Sequence, residues 1–125
     1  MLTTPAHANM RSMGSHGSDH VRFKKALAVG HLTTALIVAR DLPHVSLSDA
    51  LELCRLMAGD GDPRYPRAAS RWLERFSSET AAGLAELQLA AAALGHLWES
   101  PDSDVARRTL TELLAAQPQR LTSGP

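Results

Sequence analysis

A single cysteine, Cys54, occurs in the chain. One thiol excludes an internal disulfide and any zinc site built from cysteines. Net charge is missing as well, because thirteen basic and thirteen acidic residues cancel. That balance removes a whole-protein electrostatic grip on nucleic acid or an anionic membrane and leaves only local patches. The most apolar tract, residues 81–94, is interrupted by Glu86 and Gln88. It falls short of the ~20 residues that span a bilayer. Residues 1–13 lack an apolar run behind a basic start, so no secretory signal is read there. These absences predict a cytoplasmic protein without membrane attachment.

Reactive motifs are also missing. The sequence holds no glycine-rich phosphate loop, no His-Glu-x-x-His and no Glu-x-x-His pair, which removes three common routes to phosphate, zinc and di-iron chemistry. Asp60 and Asp62 flank Gly61 as in part of a calcium loop, but the downstream bidentate Glu is absent. His7, His16 and His20 are irregularly spaced, and His31, His44 and His96 fall in turns or at helix ends. Neither set predicts a metal site. Cys54 lies on an apolar face without a basic neighbour, which describes a packed thiol rather than a nucleophile. No catalytic residue, cofactor or metal is expected.

What is present is helical periodicity. With 125 residues the expectation is one domain with one core. Residues 1–17 mix Thr, Pro, His, Ser and Gly without a period and predict a disordered tail, and residues 118–125 predict a frayed one. Between them, residues 18–117 predict an all-α domain of about six helices in three hairpins, as a bundle or a short repeat-like array. Ser18 or Asp19 can cap a first helix over 20–29, with Phe23, Ala26 and Leu27 inward and Gly30 as its terminator. A second helix follows over 31–42, with Leu32, Ala35, Leu36, Ala39 and Leu42 inward, and Pro43 stops it. Ser46 caps the third, whose face is Leu47, Ala50, Leu51, Leu53, Cys54, Met57 and Ala58.

The fourth helix is the most amphipathic. Tyr65, Ala68, Ala69, Trp72 and Phe76 recur on one face and hold three of the five aromatics, so this helix is expected at the centre of the core. Asp62 with Pro63 is its expected start, with Pro66 as the alternative. A fifth helix starts at Leu84, with Leu84, Leu87, Ala91 and Leu94 on one face and Leu89, Ala92 and Ala93 on the other. A helix apolar all round predicts burial on both sides. The sixth is expected to open at Ser100 with Pro101 and to present Ala106, Leu110, Leu113 and Leu114. No stretch carries the alternation a strand needs.

Two features could meet a partner. Arg64, Arg67, Arg71 and Arg75 form a stripe beside the aromatic face. It suits a phosphate backbone or an acidic helix, or else a solvated face paired locally with Glu74 and Glu79. Ile37, Leu56 and Leu89 fall out of phase with their helices. Three such residues on different helices predict cover by other helices of the fold or by another chain. The expected function is a non-catalytic protein-interaction module, with a homodimer as one form. A nucleic-acid-binding regulator using the arginine stripe is the alternative.

Gly30 to Leu36, with Ala35 and Ala39, resembles the turn and second helix of a tetratricopeptide hairpin over residues 20–42. More broadly, residues 20–117 resemble a group of small helical actinobacterial proteins. The resemblance is carried by the segments Ala35 to Arg40, Leu42 to Leu51 and Arg67 to Leu73. It implies an all-helical fold and no particular activity.

Overall fold

Helical periodicity is realised throughout the computed structural model, which describes residues 17–117. Six helices and no strand occur among the described residues: α1 (17–29), α2 (Leu32–Asp41), α3 (Leu47–Gly59), α4 (Tyr65–Glu79), α5 (Leu84–Glu99) and α6 (Asp104–Ala116). None is long and apolar enough to cross a membrane. Of the tails expected over 1–17 and 118–125, residues 1–16 and 118–125 lie outside the described residues, while Gly17, expected in the tail, is already helical. The chain divides into two compact units between Val45 and Ser46.

The first unit holds α1 and α2. Residues 17–19 are already helical, so Ser18 and Asp19 sit inside α1 rather than capping it; Asp19 instead pairs with Arg22 at 3.2 Å. At the other end Gly30 adopts φ 78°. Its N–H donates to the Leu27 carbonyl and that of His31 to Ala26, the paired bonds of a Schellman turn. The buried face of α2 is Leu32, Ala35 and Val38, rotated from the expected one, while Leu36, Ala39 and Leu42 are half-buried.

In the second unit α3 and α4 pack together, as do α5 and α6, and α4 also packs on α5. Ser46 caps α3 as expected, its Oγ accepting from the Asp49 N–H at 3.1 Å. Gly61, at φ 63°, repeats the Schellman turn, with Gly61 N–H donating to Ala58 and Asp62 N–H to Met57. The expected cap at Asp62 shifts. Its carboxylate accepts from the Arg64 N–H and guanidinium, Pro63 stays in the turn, and α4 begins at Tyr65 with Pro66 in its first turn. Thr80 ends α4, its hydroxyl donating to the Phe76 carbonyl at 2.6 Å. The sixth helix is corrected too. Ser100 ends α5, and it is Ser103 that caps α6 by accepting from the Ala106 N–H.

The core of this unit is organised by α4. Tyr65, Trp72 and Phe76 are each no more than 2% exposed. The Trp72 indole N–H donates to the Leu47 carbonyl at 2.8 Å, and the Tyr65 hydroxyl donates to the Leu94 carbonyl at 2.8 Å. Trp72 and Phe76 stack with centroids 5.1 Å apart. Each polar tip buried with its ring is therefore satisfied, so burial of the ring area is not offset by an unmet donor. Cys54 is buried in the same core, and burial pushes its thiol from an ordinary 9.0 up to about 12. Burial likewise raises Tyr65.

Truncating Trp72→Ala should cost about 3–5 kcal/mol in urea unfolding. Trp72→Phe should cost less, about 1–2 kcal/mol, because the ring area stays and only the donor goes. Cys54 gives a pH signature. In the unfolded chain the thiol ionises near its ordinary value, whereas the folded thiol holds its proton to about pH 12. The unfolded state thus binds fewer protons between these values, and stability falls as pH rises through that window. Urea midpoints measured from pH 8 to 11 should decline, and less steeply in Cys54→Ala.

Candidate functional site: an apolar groove between α4 and α5

Helix α5 shows an apolar face that the fold does not use. Its buried residues are Ala90, Ala93, Leu94 and Leu97. The face expected to be core, Leu84, Leu87 and Ala91, turns instead to the outside. Leu84 is 74% exposed, Ala91 is exposed and Leu87 half-buried; of that set only Leu94 is buried. The expectation of burial on both sides is therefore overturned. The reason is periodicity itself, since an apolar helix offers two adjacent stripes about a quarter-turn apart and the partners decide which is covered. Trp98 continues the outer stripe.

Leu87, Ala91 and Trp98 of this stripe line one wall of a groove. Because α4 and α5 are consecutive and antiparallel, Tyr65 at the start of α4 meets Trp98 near the end of α5. Their rings stack at 5.1 Å and 10°. At that end Pro66, Ala69, Ser70 and Leu73 face Ala91, Leu94, Gly95 and Trp98 across about 230 Å³. Toward the other end Ser70, Leu73, Glu74 and Ser77 face Leu87 across about 390 Å³. The small residues Ala69, Ser70, Ala91 and Gly95 alternate with Leu73 and Leu94 along the groove, and Leu87 and Trp98 stand toward its two ends. Gly95 is exposed, and a Cβ there would meet no atom within 4 Å. The chain alone gains nothing from its absence, while glycine inside a helix costs about 1 kcal/mol against alanine.

The Trp98 half of the groove has no charged residue in its lining, and its one titratable group, the Tyr65 phenol, is committed to Leu94. A polar cleft lies elsewhere, between α3 and α6, lined by Glu52, Arg55, Asp104, Arg107, Arg108 and Thr111 around about 460 Å³. Glu52 pairs with Arg55 and Asp104 with Arg107, and Arg108 makes no ion pair among the described residues. No group of three His, Cys, Asp or Glu residues among those described is placed to hold a metal.

The arginine stripe separates into two classes. Arg64 is held by Asp62 at 2.7 Å, and this contact draws the carboxyl of Asp62 down to about 2. Arg75 is held by Glu79 through two contacts, at 2.7 and 3.2 Å. Arg67 and Arg71 are exposed and make no ion pair among the described residues, and neither does Glu74. The out-of-phase residues do not gather at the groove. Leu89 is 50% exposed on α5 away from its lining, Leu56 is half-buried on α3, and Ile37, 53% exposed, belongs to the first unit. The groove residues missed in the sequence are Ser70, Leu73, Ser77, Gly95 and Trp98. Trp98 lies fourteen residues after Leu84, four helical turns on, and extending the leucine period that far would have found it. No protein-family model, curated protein or solved structure matches the chain.

The face assignment is directly measurable. Leu84→Gln should change unfolding free energy by no more than about 0.5 kcal/mol. Leu97→Ala, on the buried face, should cost about 2–5 kcal/mol.

Proposed function

We propose that the protein is a non-catalytic, cytoplasmic protein-interaction module whose contact surface is the α4–α5 groove. The observation that carries this reading is the outer stripe of α5, with Leu84 and Ala91 exposed and Leu87 and Trp98 half-buried, beside a groove lined mostly by apolar side chains. A contiguous apolar surface with a polar rim costs hydration in the free protein and is the kind of surface that a partner helix covers. A partner gains from Trp98 in particular, because a large, pre-positioned ring adds contact area with little side-chain entropy to lose.

The arginine stripe gives a second reading weaker support. Of its four arginines only Arg67 and Arg71 make no ion pair among the described residues, so a nucleic-acid contact through this face would neutralise about two phosphates. Its log K against log salt slope would then be no steeper than about −2.

A photo-crosslinking side chain at Ser70, in the full chain within its native cell, tests the groove. It should trap protein adducts that Ala91→Glu eliminates, whereas the same side chain at Thr111, on the polar cleft, should not. Equal trapping from both positions would overturn the assignment.

A further inference from the structure

We infer that the occupant of the α4–α5 groove is a second copy of this chain, docked about a two-fold axis that crosses the groove beside Ser70 and between Ala91 and Gly95. This rests on the groove reading above and adds to it the identity of the partner.

The groove is self-complementary about that axis. On α4, Arg67 and Glu74 lie seven residues apart on one side of the helix, ~10 Å along its axis. Both are exposed and without an ion pair among the described residues. Their midpoint falls at Ser70–Arg71, so the two Arg71 side chains also approach each other there, each three residues from the Glu74 of its own helix. A second α4 running antiparallel across this point places its Glu74 beside Arg67 and its Arg67 beside Glu74. Within one chain the two charges are too far apart to pair. Between two copies they make the same contact twice, which is the signature of an isologous interface.

The apolar residues obey the same axis. On α5 the bulky Leu87 and Trp98 stand on either side of the small pair Ala91 and Gly95. The midpoint of each pair lies near residue 93, which faces the Ser70 level of α4 across the groove, since Ser70 sits with Gly95 in the lining. Rotation by the two-fold brings Trp98 of one copy toward Leu87 of the other and Ala91 toward Gly95. Ala91 and Gly95 meet where the two α5 helices cross, with Leu87 and Trp98 at the ends, and Leu73 of α4 stands about one turn from the axis. The missing Cβ of Gly95 acquires a use here that it lacks within one chain, namely close approach of the second helix. A foreign helix would require none of these coincidences of position.

Sedimentation velocity across a concentration series should show the full-length wild type moving from monomer to dimer. Arg67→Glu and Glu74→Arg, measured singly, should each weaken association about ten-fold, because both symmetry-related contacts become repulsive. An equimolar mixture of the two variants should regain it. The mixed pair keeps one wild-type contact, Glu74 of the first variant against Arg67 of the second, and at the other contact the two reversed charges attract. Gly95→Leu should give a monomer with an unchanged circular dichroism spectrum, as the added side chain points into open space. A wild type that stays monomeric, or single variants whose mixture associates no better than either alone, would overturn the proposal. If the chain is monomeric while the Ser70 crosslink still traps a different protein, the two-fold contact falls and the groove reading stands. If Ser70 traps nothing, both fall.

Discussion

The buried hydrogen bond from the Trp72 indole to the Leu47 carbonyl is the contact on which the second unit depends. It joins the middle of α4 to the first turn of α3 while keeping the largest side chain of the core free of an unmet donor. The Tyr65 hydroxyl does the same toward α5 through Leu94. With one aromatic fastened to each neighbour, α4 is fixed in rotation as well as in position. Its polar residues have no choice of direction once the rings are placed. That constraint sets which carboxylates its arginines can reach and which flank of α4 is left to border the groove.

The consequences for charge follow from distance. Arg64 and Arg75 stand near the two ends of α4, where Asp62 and Glu79 lie within reach, and their charge is spent on local contacts. Arg67 and Arg71, in the middle, make no ion pair among the described residues, although Glu74 lies one turn from Arg71. A stripe of four cations in the sequence is thus two in effect. The apolar surplus follows equally from α5. A helix rich in alanine and leucine covers one side of α4 and still has a leucine stripe to spare, which Trp98 extends by another turn.

Much of this was legible in residue order. The helix count, the aromatic face of α4, the Ser46 cap and the glycine at position 30 follow from periodicity and capping chemistry alone. Starts near prolines were harder to place. Asp62 and Ser100 both satisfy the capping pattern, and the choice was made by bonds that spacing does not reveal: Arg64 closing on Asp62, and Ser103 reaching Ala106. The faces of α5 were legible as two stripes but not as inner and outer. Near-uniform apolarity carries no phase, and only packing against α4, α6 and α3 selects Ala90, Ala93 and Leu97 over Leu84 and Ala91. Gly95 had no local reason to attract notice, since a Cβ there would meet no atom of the chain within 4 Å.

Placement of the two indoles has a spectroscopic consequence. Trp72 is sealed against Phe76, while Trp98 lies half-open over Tyr65. Intrinsic emission therefore combines a short-wavelength component that monitors integrity of the interior with a longer-wavelength one that solutes can quench. A change confined to the second component marks an event at the groove, and loss of both marks unfolding. The molecule thus carries its own pair of probes, one for folding and one for occupancy, with no label added.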